Sequence, residues 1–381
     1  MSRKRLSPQN AEIAEKSKVR AYVSKRRKIE IEESRQEIEL TDTSPQPIKL
    51  SDIPERISSA LSDTPASQTG FLPKRRVTHL PKEHTKGVNA LTWCGEFGQV
   101  LASASMDGSV KIWDVFGKKE CVRTFRHYEA VKDVRWDNDT SKLLSGGYNK
   151  LAKLIDIESG AISQTFEHPN FITALRFNPT SPFFFASGMS KDGVIMWDVR
   201  TNKPINQFRK FWGSVNDLEF LPTGKEILTC SDYVVRNAAD KNIVVWDLDS
   251  TTPISNQIYQ EAYSCTAMRR HPYKSQFVAQ SNANYVAIFG LEKPWKLNKR
   301  KRFEGHVVNG YPIRCNFSLD AKYLASGDAN GSIFFYDYAS SNIVKVIENA
   351  HSGVSIDVLW HPVLKSVVAT AGWEGGVSVW G

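Results

Sequence analysis

Apolar and polar residues alternate along most of this chain in short runs that are separated by turn-forming residues. The clearest runs end on a large apolar residue followed by Asp or Gly, as in Lys111-Ile112-Trp113-Asp114. Runs of this kind, with Gly, Asn or Asp between them, are typical of strands joined by tight turns. The same position recurs at intervals of 42 to 49 residues, at Trp113, Ile155, Trp197, Trp246, Phe289, Tyr336 and Trp380. The pattern predicts seven copies of one small β-sheet unit.

The period of the repeat indicates the architecture. Repeats of roughly 40 to 45 residues that end on Trp-Asp are the signature of WD-type blades, each a four-stranded sheet. We therefore predict an all-β fold, a seven-bladed WD-repeat β-propeller over residues 71–381. The seventh repeat reaches only its third strand at Trp380, so its fourth strand must come from elsewhere, and residues 76–80 are the candidate. Pairing the two ends of the propeller closes the ring and removes free sheet edges.

Each regular repeat carries residues that can form a buried hydrogen-bonded set. In the first repeat these are His84, Ser103 or Ser105, Asp107 and Trp113. A Ser-His-Asp set also resembles the catalytic triad of hydrolases, but one active site would not recur from blade to blade, so we assign it to structure. The predicted structural residues are His84, Asp107, Trp113, His168, Asp192, Trp197, Trp246, His306, Tyr336, His351 and Trp380.

Three repeats depart from this pattern. Repeat two has Ile155 in place of the Trp, and repeat five has Phe289-Gly290 in the Trp-Asp position. Repeat four lacks the loop His and carries an insertion around residues 233–239. Where the polar set is incomplete, apolar packing must hold the blade, so blades two and five are expected to open first.

Residues 1–70 show no sustained apolar period and are predicted to be a disordered tail, because they cannot bury enough apolar surface to offset the entropy of ordering. Residues 1–28 hold ten Lys and Arg against two acidic residues, and residues 29–73 hold three against nine. The basic clusters resemble nuclear import signals, with a merely solvated tail as the alternative. The import candidates are Arg3, Lys4, Arg5, Lys25, Arg26, Arg27 and Lys28.

Composition and motifs narrow the remaining functional classes. No apolar run approaches the roughly 18 residues that a membrane span requires. The five cysteines are scattered without paired CxxC spacing, which argues against zinc. No phosphate-binding glycine loop is present. We therefore predict no catalytic residue, cofactor, metal site, membrane partner or small-molecule substrate, and we expect other proteins as partners.

Two groups of residues are candidates for partner binding. The first is the basic run Lys299, Arg300, Lys301 and Arg302, predicted to lie in the connection between blades five and six and to contact RNA phosphate or an acidic protein; a solvated loop is the alternative. The second is an aromatic set near the start of successive inner strands, which could anchor a peptide or simply pack between blades. This set comprises Tyr128, Phe171, Trp212, Tyr263 and Tyr311.

Several stretches carry a more specific resemblance over residues 71–381. They include Phe71-Leu72-Pro73-Lys74-Arg75, Ser105-Met106-Asp107-Gly108, Ala186-Ser187-Gly188-Met189-Ser190 and Glu304-Gly305-His306. The chain resembles the WD-repeat subgroup formed by pre-mRNA-processing factor 17 and WD repeat-containing protein 25. The processing-factor branch implies a nuclear scaffold of the spliceosome, associated with the second catalytic step and without chemistry of its own. The repeat-25 branch implies no defined role, and the sequence leaves the choice between the branches open.

A rival function comes from another class of protein. Trp197-Asp198-Val199-Arg200 resembles the WDxR motif through which many propellers dock on cullin-type ubiquitin ligases. Arg200 would then mark a substrate receptor for such a ligase. Loss of ligase docking on mutation of Arg200, with spliceosome association intact, would distinguish the two readings.

Overall fold

Twenty-eight strands in seven antiparallel sheets form the described part of the chain. The computed structural model describes residues 53–62, 72–80, 84–95, 97–209, 213–232, 242–255 and 263–381. Each sheet has four strands, which we call a to d from the inside of the ring outward. The predicted seven-bladed all-β propeller is confirmed.

The first four blades follow the chain without interruption. Their strands are β2 (Val88–Trp93), β3 (Val100–Ser105), β4 (Ser109–Asp114) and β5 (Glu120–Arg126) in blade one; β6 (Val131–Trp136), β7 (Lys142–Gly147), β8 (Leu151–Asp156) and β9 (Ile162–Glu167) in blade two; β10 (Ile172–Phe177), β11 (Phe184–Met189), β12 (Val194–Asp198) and β13 (Lys203–Phe208) in blade three; and β14 (Val215–Phe220), β15 (Glu226–Ser231), β16 (Ile243–Asp247) and β17 (Pro253–Ser255) in blade four.

The remaining blades repeat this order, except that blade seven takes its outer strand from the beginning of the propeller. Their strands are β18 (Cys265–Arg270), β19 (Gln276–Ser281), β20 (Tyr285–Gly290) and β21 (Leu297–Glu304) in blade five; β22 (Cys315–Phe317), β23 (Tyr323–Gly327), β24 (Ile333–Asp337) and β25 (Ile343–Ile347) in blade six; and β26 (Ser355–Trp360), β27 (Val368–Gly372), β28 (Val377–Trp380) and β1 (Arg76–Leu80) in blade seven.

The core lies between neighbouring blades rather than within any one of them. Strands a and b are almost wholly buried, as in β2 and β3, whereas strand d alternates buried and exposed positions, as in β5. This difference follows from position, because inner strands are covered by a sheet on each side while outer strands face water on one side. Each apolar cluster therefore joins two adjacent blades.

The ring closes through β1, as the sequence predicts. Its register pairs Leu80 with Val377 and Arg76 with Trp380 in antiparallel fashion. Beyond the strand, the Gly381 carbonyl accepts hydrogen bonds from the backbone N–H of Lys74 at 3.1 Å and Arg75 at 3.2 Å. Leu80 is fully buried, so the strand contributes to the core as well as to the hydrogen-bonded edge.

One helix lies within the stretch predicted to be a disordered tail. The segment α1 (Glu55–Ser62) packs on the propeller where blade seven meets blade one, and Ile57 is fully buried there. The sequence-based reading missed it because only Ile53, Ile57 and Ala60 contact the core, too few residues for a recognisable period. The import candidates Arg3, Lys4, Arg5, Lys25, Arg26, Arg27 and Lys28, together with Trp212 and the insertion at 233–239, lie outside the described residues.

We call the two ends of the ring the upper and lower faces. Strand b turns into strand c at the upper face, where strand d also leads into the next blade, and backbone bonds link these segments, as from Tyr148 N–H to the Ala130 carbonyl. The turns from strand a to b and from c to d lie at the lower face. Since α1 packs against the c–d turn residue Phe116, it belongs to the lower face.

Candidate interaction surfaces

The polar set of blade one is complete and buried. The imidazole Nδ1 of His84 lies 2.8 Å from Asp107 Oδ2, and its Nε2 lies 2.7 Å from Ser103 Oγ. The indole N–H of Trp113 donates to the same hydroxyl at 2.8 Å, which selects Ser103 over Ser105. Although burial acts to raise it, hydrogen bonds from His84 and Ser109 hold the pKa of Asp107 well below its usual range. Ser103 is inaccessible to solvent, so this set stabilises the blade rather than attacking a substrate.

Other blades keep parts of the set. Blade seven is complete with Glu374 at the turn, 2.7 Å from the His351 Nδ1, and with Trp380 donating to Thr370 at 3.0 Å. In blade four Trp246 donates to Thr229 at 2.9 Å without a His. In blade six the His306 Nδ1 instead lies 2.8 Å from the Tyr336 hydroxyl.

Blade three departs from the prediction at its turn. His168 Nε2 contacts Ser187 Oγ at 2.8 Å, and Trp197 donates to the same oxygen at 3.1 Å. The other ring nitrogen, however, lies 3.0 Å from the Phe166 carbonyl and not beside Asp192. Asp192 has a φ of +69° and accepts a hydrogen bond from the Asn170 amide instead. The predicted role of Asp192 as the acid partner of His168 is therefore wrong.

A network of buried ion pairs lines the central channel, and the sequence-based reading missed it. Asp133, Asp217 and Asp357 occupy the same position of strand a in blades two, four and seven. Each accepts a backbone N–H from strand a of the next blade, at Leu175, Met268 and Leu91, over 2.9 to 3.0 Å. When the repeats are aligned, these three carboxylates fall in the same column. That column is the sequence signal from which the network could have been predicted. Three of the seven joints between blades are tied in this way.

Guanidinium groups complete the network. Arg176 reaches Asp133 at 3.0 Å and Asp217 at 2.6 Å, while Arg314 reaches across from blade six to Asp133 at 3.2 Å. Although burial acts to raise it, the charges of Arg135, Arg314 and Arg176 hold the pKa of Asp133 well below its usual range. Burial, together with the like charge of Arg176, lowers the pKa of Arg135 to about 9. Removal of one partner of a buried ion pair would leave an uncompensated charge inside the protein. The intact network therefore stabilises the spacing of the inner β-strands.

Part of the predicted aromatic set is exposed on the upper face. Tyr128, Phe171 and Tyr263 are 51%, 40% and 53% exposed. Tyr148, which the prediction did not include, lies 5.1 Å from Phe171 between ring centroids. The neighbouring Lys150 places its ammonium 5.6 Å from the Phe171 ring. A small aromatic surface therefore lies between blades two and three.

Tyr311 is less accessible than its counterparts in the set. Its ring packs edge-on against Trp373, with 4.8 Å between ring centroids. Trp373 in turn covers Gly87 so closely that a Cβ there would lie 1.9 Å from the indole Cδ1. This pair joins the upper ends of blades six, seven and one.

The basic run is part of an outer strand and not of a loop. Residues 299–302 lie within β21, strand d of blade five. The register pairs Phe289 with Leu297 and Ala287 with Arg302, so four residues of β21 stand opposite Ile288 alone. Such a wide bulge pushes side chains out of the sheet edge. The predicted connection between blades is corrected to a bulged strand edge.

Aromatic rings anchor two of the four cations. The Lys301 ammonium lies 4.4 Å from the Tyr338 ring centroid, and the Arg302 guanidinium lies 4.4 Å from that of Tyr285. Burial, and then the charge of Lys274, lowers the pKa of Lys301. Lys299 and Arg300 are exposed and form no ion pair with any described residue. Lys301 and Arg302 therefore pack against the fold, whereas Lys299 and Arg300 remain accessible to an anionic partner.

Arg200 is exposed but partly engaged. It is held by Asp198, with Nη2 2.9 Å from Oδ2, and its guanidinium lies 4.7 Å from the Phe183 ring centroid. Its side chain remains 56% accessible. The pair fixes the direction of Arg200 at the lower face of blade three.

Other kinds of site find no support among the described residues. No group of three or more His, Cys, Asp or Glu is arranged to hold a metal ion in this part of the chain. No described helix is long and apolar enough to cross a membrane. All five cysteines carry free thiols, and burial raises the pKa of Cys94 and Cys315 to about 12.

Several known proteins match most of this chain. The chain is 33% identical to WD repeat-containing protein 25 of Mus musculus over 312 residues, which is 81% of this chain and 58% of that protein. It is 32% identical to pre-mRNA-processing factor 17 of Homo sapiens over 86% of this chain and 56% of that protein. It is also 28% identical to pre-mRNA-processing factor 17 of Saccharomyces cerevisiae, over 81% of this chain and 67% of that protein. The chain spans a little over half the length of the first two relatives.

The match to a protein family is broader and agrees with the blades. Repeats described as "WD domain, G-beta repeat" match residues 75–114, 119–156, 160–198, 202–247 and 297–337. Each range takes in strands a to c of one blade, in blades one to four and blade six, with strand d of the blade before it. The structure adds blades five and seven as sheets of the same order. On the matched repeats and the seven four-stranded blades, this chain belongs to the WD40-repeat family.

Proposed function

We propose that this protein is a non-enzymatic scaffold that holds proteins together within the nuclear pre-mRNA splicing machinery, of the type associated with the second catalytic step. The observation that carries the proposal is the likeness to pre-mRNA-processing factor 17 over 86% of the chain. The repeated polar sets are buried structural elements, and the exposed aromatic and basic surfaces suit binding rather than catalysis.

Within this role, two surfaces are assigned to partners. Tyr128, Phe171 and Tyr263 on the upper face would anchor a peptide, since exposed aromatic rings supply large contact area at low entropic cost. The exposed cations Lys299 and Arg300 would contact the phosphates of RNA bound by the splicing machinery. Such a contact weakens as the salt concentration rises. Import into the nucleus would depend on the basic clusters at residues 3–5 and 25–28.

The test is affinity purification of the endogenous protein from nuclear extract, with and without RNase, followed by mass spectrometry. Recovery of splicing proteins that resists RNase is the expected result. Recovery that disappears with RNase would show that RNA mediates the association, which would contradict the proposed protein scaffold. Recovery of cullin-ligase subunits without splicing factors would overturn the proposal, and an Arg200→Ala variant would then identify the docking residue.

A further inference from the structure

Two joints between blades share an unusual turn on the lower face. His361-Pro362 follows strand a of blade seven, and His271-Pro272 follows strand a of blade five. In the first, the imidazole Nδ1 accepts the backbone N–H groups two and three residues further on, at 3.0 and 2.9 Å. In the second, the corresponding distances are 3.1 and 2.9 Å. Both turns therefore fix the imidazole in the same orientation.

Each imidazole packs between two aromatic rings of the next blade. His361 lies 4.8 Å from Trp93 and 5.3 Å from Phe116, measured between ring centroids. His271 lies 5.0 Å from Phe317 and 4.8 Å from Tyr338. In both cases the first ring ends strand a and the second follows strand c. We call these sites joint 7–1 and joint 5–6.

Joint 7–1 is covered by a helix of the same chain. Ile57 and Ala60 of α1, together with Ile53 just before the helix, pack on the cluster that contains Trp93. The Arg56 guanidinium lies 5.9 Å from the Phe116 ring centroid. A short helix with apolar residues at i and i+3, Ile57 and Ala60, thus packs against the aromatic rings of joint 7–1.

At joint 5–6 the imidazole and its two rings are also buried, but the apolar residues beside them are exposed to solvent. Tyr273, at the turn, is 71% exposed, and Leu319 beside it is 39% exposed. The Tyr273 hydroxyl donates to the Leu319 carbonyl at 2.7 Å, which holds the ring flat along the joint. Lys274 and Lys301 place their ammonium groups 5.1 and 4.4 Å from the Tyr338 ring, where joint 7–1 has Arg56.

This joint is also one hydrogen bond short of its counterpart. The His361 Nε2 lies 3.1 Å from the Gly98 carbonyl. The His271 Nε2 is buried and has no hydrogen-bond partner among the described residues, although His271 is only 3% exposed.

The surroundings of joint 5–6 are strongly basic. Burial, followed by the charges of Lys274 and Lys301, lowers the pKa of His271. Six exposed cations on the turns and strand edge that flank the joint outnumber the four acids Glu292, Glu304, Asp320 and Asp337. These cations are Lys274, Lys293, Lys296, Lys299, Arg300 and Lys322.

We propose that joint 5–6 is a docking site for an acidic amphipathic helix of another protein. Its apolar stripe would cover Tyr273 and Leu319 as Ile57 and Ala60 cover joint 7–1, and its carboxylates would face the surrounding lysines. RNA fits less well, because Leu319 offers no surface on which a base could stack. The site shares Lys299 and Arg300 with the basic surface of the proposed function, but its apolar part, Tyr273 and Leu319, has no role there.

The experiment places the photoreactive residue p-benzoylphenylalanine at Tyr273 in the full chain, expressed in cells and irradiated there. Phe183, 46% exposed on the equivalent turn of blade three, is the control position. The cross-linked segment is identified by mass spectrometry. The double variant Lys274→Glu with Lys322→Glu removes the basic flank, and Lys191→Glu with Lys203→Glu is its matched control on blade three. Thermal unfolding shows that each variant is folded.

The expected result is a cross-link from position 273 to a net-negative segment with apolar residues at three- and four-residue spacing. Its yield should fall at least tenfold in the first double variant and stay unchanged in the second. Cross-links to RNA or to residues 1–52 of this chain would overturn the proposal. A cross-link yield at position 273 no higher than that at position 183 would do the same. If splicing proteins still co-purify in those cases, the site is refuted while the proposed function stands.

Discussion

Joints 7–1 and 5–6 are built alike and differ in what covers them. Both hold a His-Pro turn against two aromatic rings of the next blade. Joint 7–1 has in addition the ring closure by β1, a carboxylate from Asp357 that ties the inner strands, and α1 on its lower face. Joint 5–6 has Ala267 at the position of Asp357 and an exposed Tyr273.

The difference teaches how a repeated frame serves two purposes. Where the ring must close, the frame is covered and reinforced, because both chain ends of the propeller meet there. Where the ring is continuous, the surface beside the same buried rings, at Tyr273 and Leu319, can remain exposed without endangering the fold. We therefore expect substitutions at joint 7–1 to affect stability and those at joint 5–6 to affect binding.

The largest effect is expected from removing residues 74–80. This deletion takes away β1, the burial of Leu80 and the bonds to Gly381, and leaves β28 as a bare edge. A loss of about 4 kcal/mol or more in the free energy of unfolding follows. Thermal unfolding checks it, with Val122→Ala on an exposed outer strand as the control. An unchanged melting temperature would show that β1 does not hold the ring.

Asp357→Ala should come next. The fully buried carboxylate accepts the Leu91 N–H at 2.9 Å and faces Arg314 at 3.4 Å, so its removal leaves both without this partner. Breaking a buried pair of this kind costs about 3 kcal/mol. Urea unfolding measures the loss against Asp249→Ala, which removes an exposed carboxylate. Equal midpoints for the two variants would contradict the role assigned to the channel network.

Ile57→Ala tests the cover on joint 7–1. Ile57 is fully buried although it lies in a short peripheral helix. Truncation of a buried Ile to Ala costs about 2 kcal/mol or more, and undocking of the helix limits the loss here. Urea unfolding measures it, with the exposed Ser58→Ala as the control. No difference between the two would mean that α1 adds nothing to stability.

His361 makes joint 7–1 sensitive to acid. Burial lowers its pKa to about 4, so the folded state holds a neutral imidazole while the unfolded state binds a proton below about pH 6.5. Stability therefore falls as the pH drops from about 6.5 to 4, by about 1.4 kcal/mol per pH unit for this group. His361→Gln should reduce that slope in unfolding curves measured across the range. A variant with the full wild-type slope would refute the assignment.

The smallest effect on stability is expected at joint 5–6. Tyr273→Ala removes a mostly exposed ring, and surface substitutions change stability by less than about 0.5 kcal/mol. Differential scanning calorimetry should find a melting temperature close to that of the wild type. A large decrease would show that Tyr273 belongs to the fold and not to a binding surface.

Much of the fold was predictable because the regular repeats fix the spacing, so that the divergent repeats can be placed between them. Trp113, Trp197, Trp246 and Trp380 mark the same position often enough that Ile155 and Phe289 could be placed by spacing alone. The closing strand followed from counting strands in the last repeat. Asp192 misled because a local backbone conformation turned it away from His168, and spacing carries no information about φ.

The surfaces were harder to predict, since they depend on contacts between residues far apart in the chain. The run at 299–302 was recognised as basic, but only the register with β20 shows that it is a bulged edge. The channel network joins Asp133 to Arg314, 181 residues away. The likeness of the two joints emerges only when His271 and His361 are seen against their aromatic neighbours.

Hydrogen–deuterium exchange on the full chain and its Ile57→Asp variant tests the central claim, that α1 covers one of two like joints. A buried carboxylate at position 57 should expel the helix. The account predicts faster exchange at residues 93–100 and 361–364 of joint 7–1, with no change at residues 271–276 of joint 5–6. Unchanged exchange at joint 7–1, or equal acceleration at both joints, would contradict it.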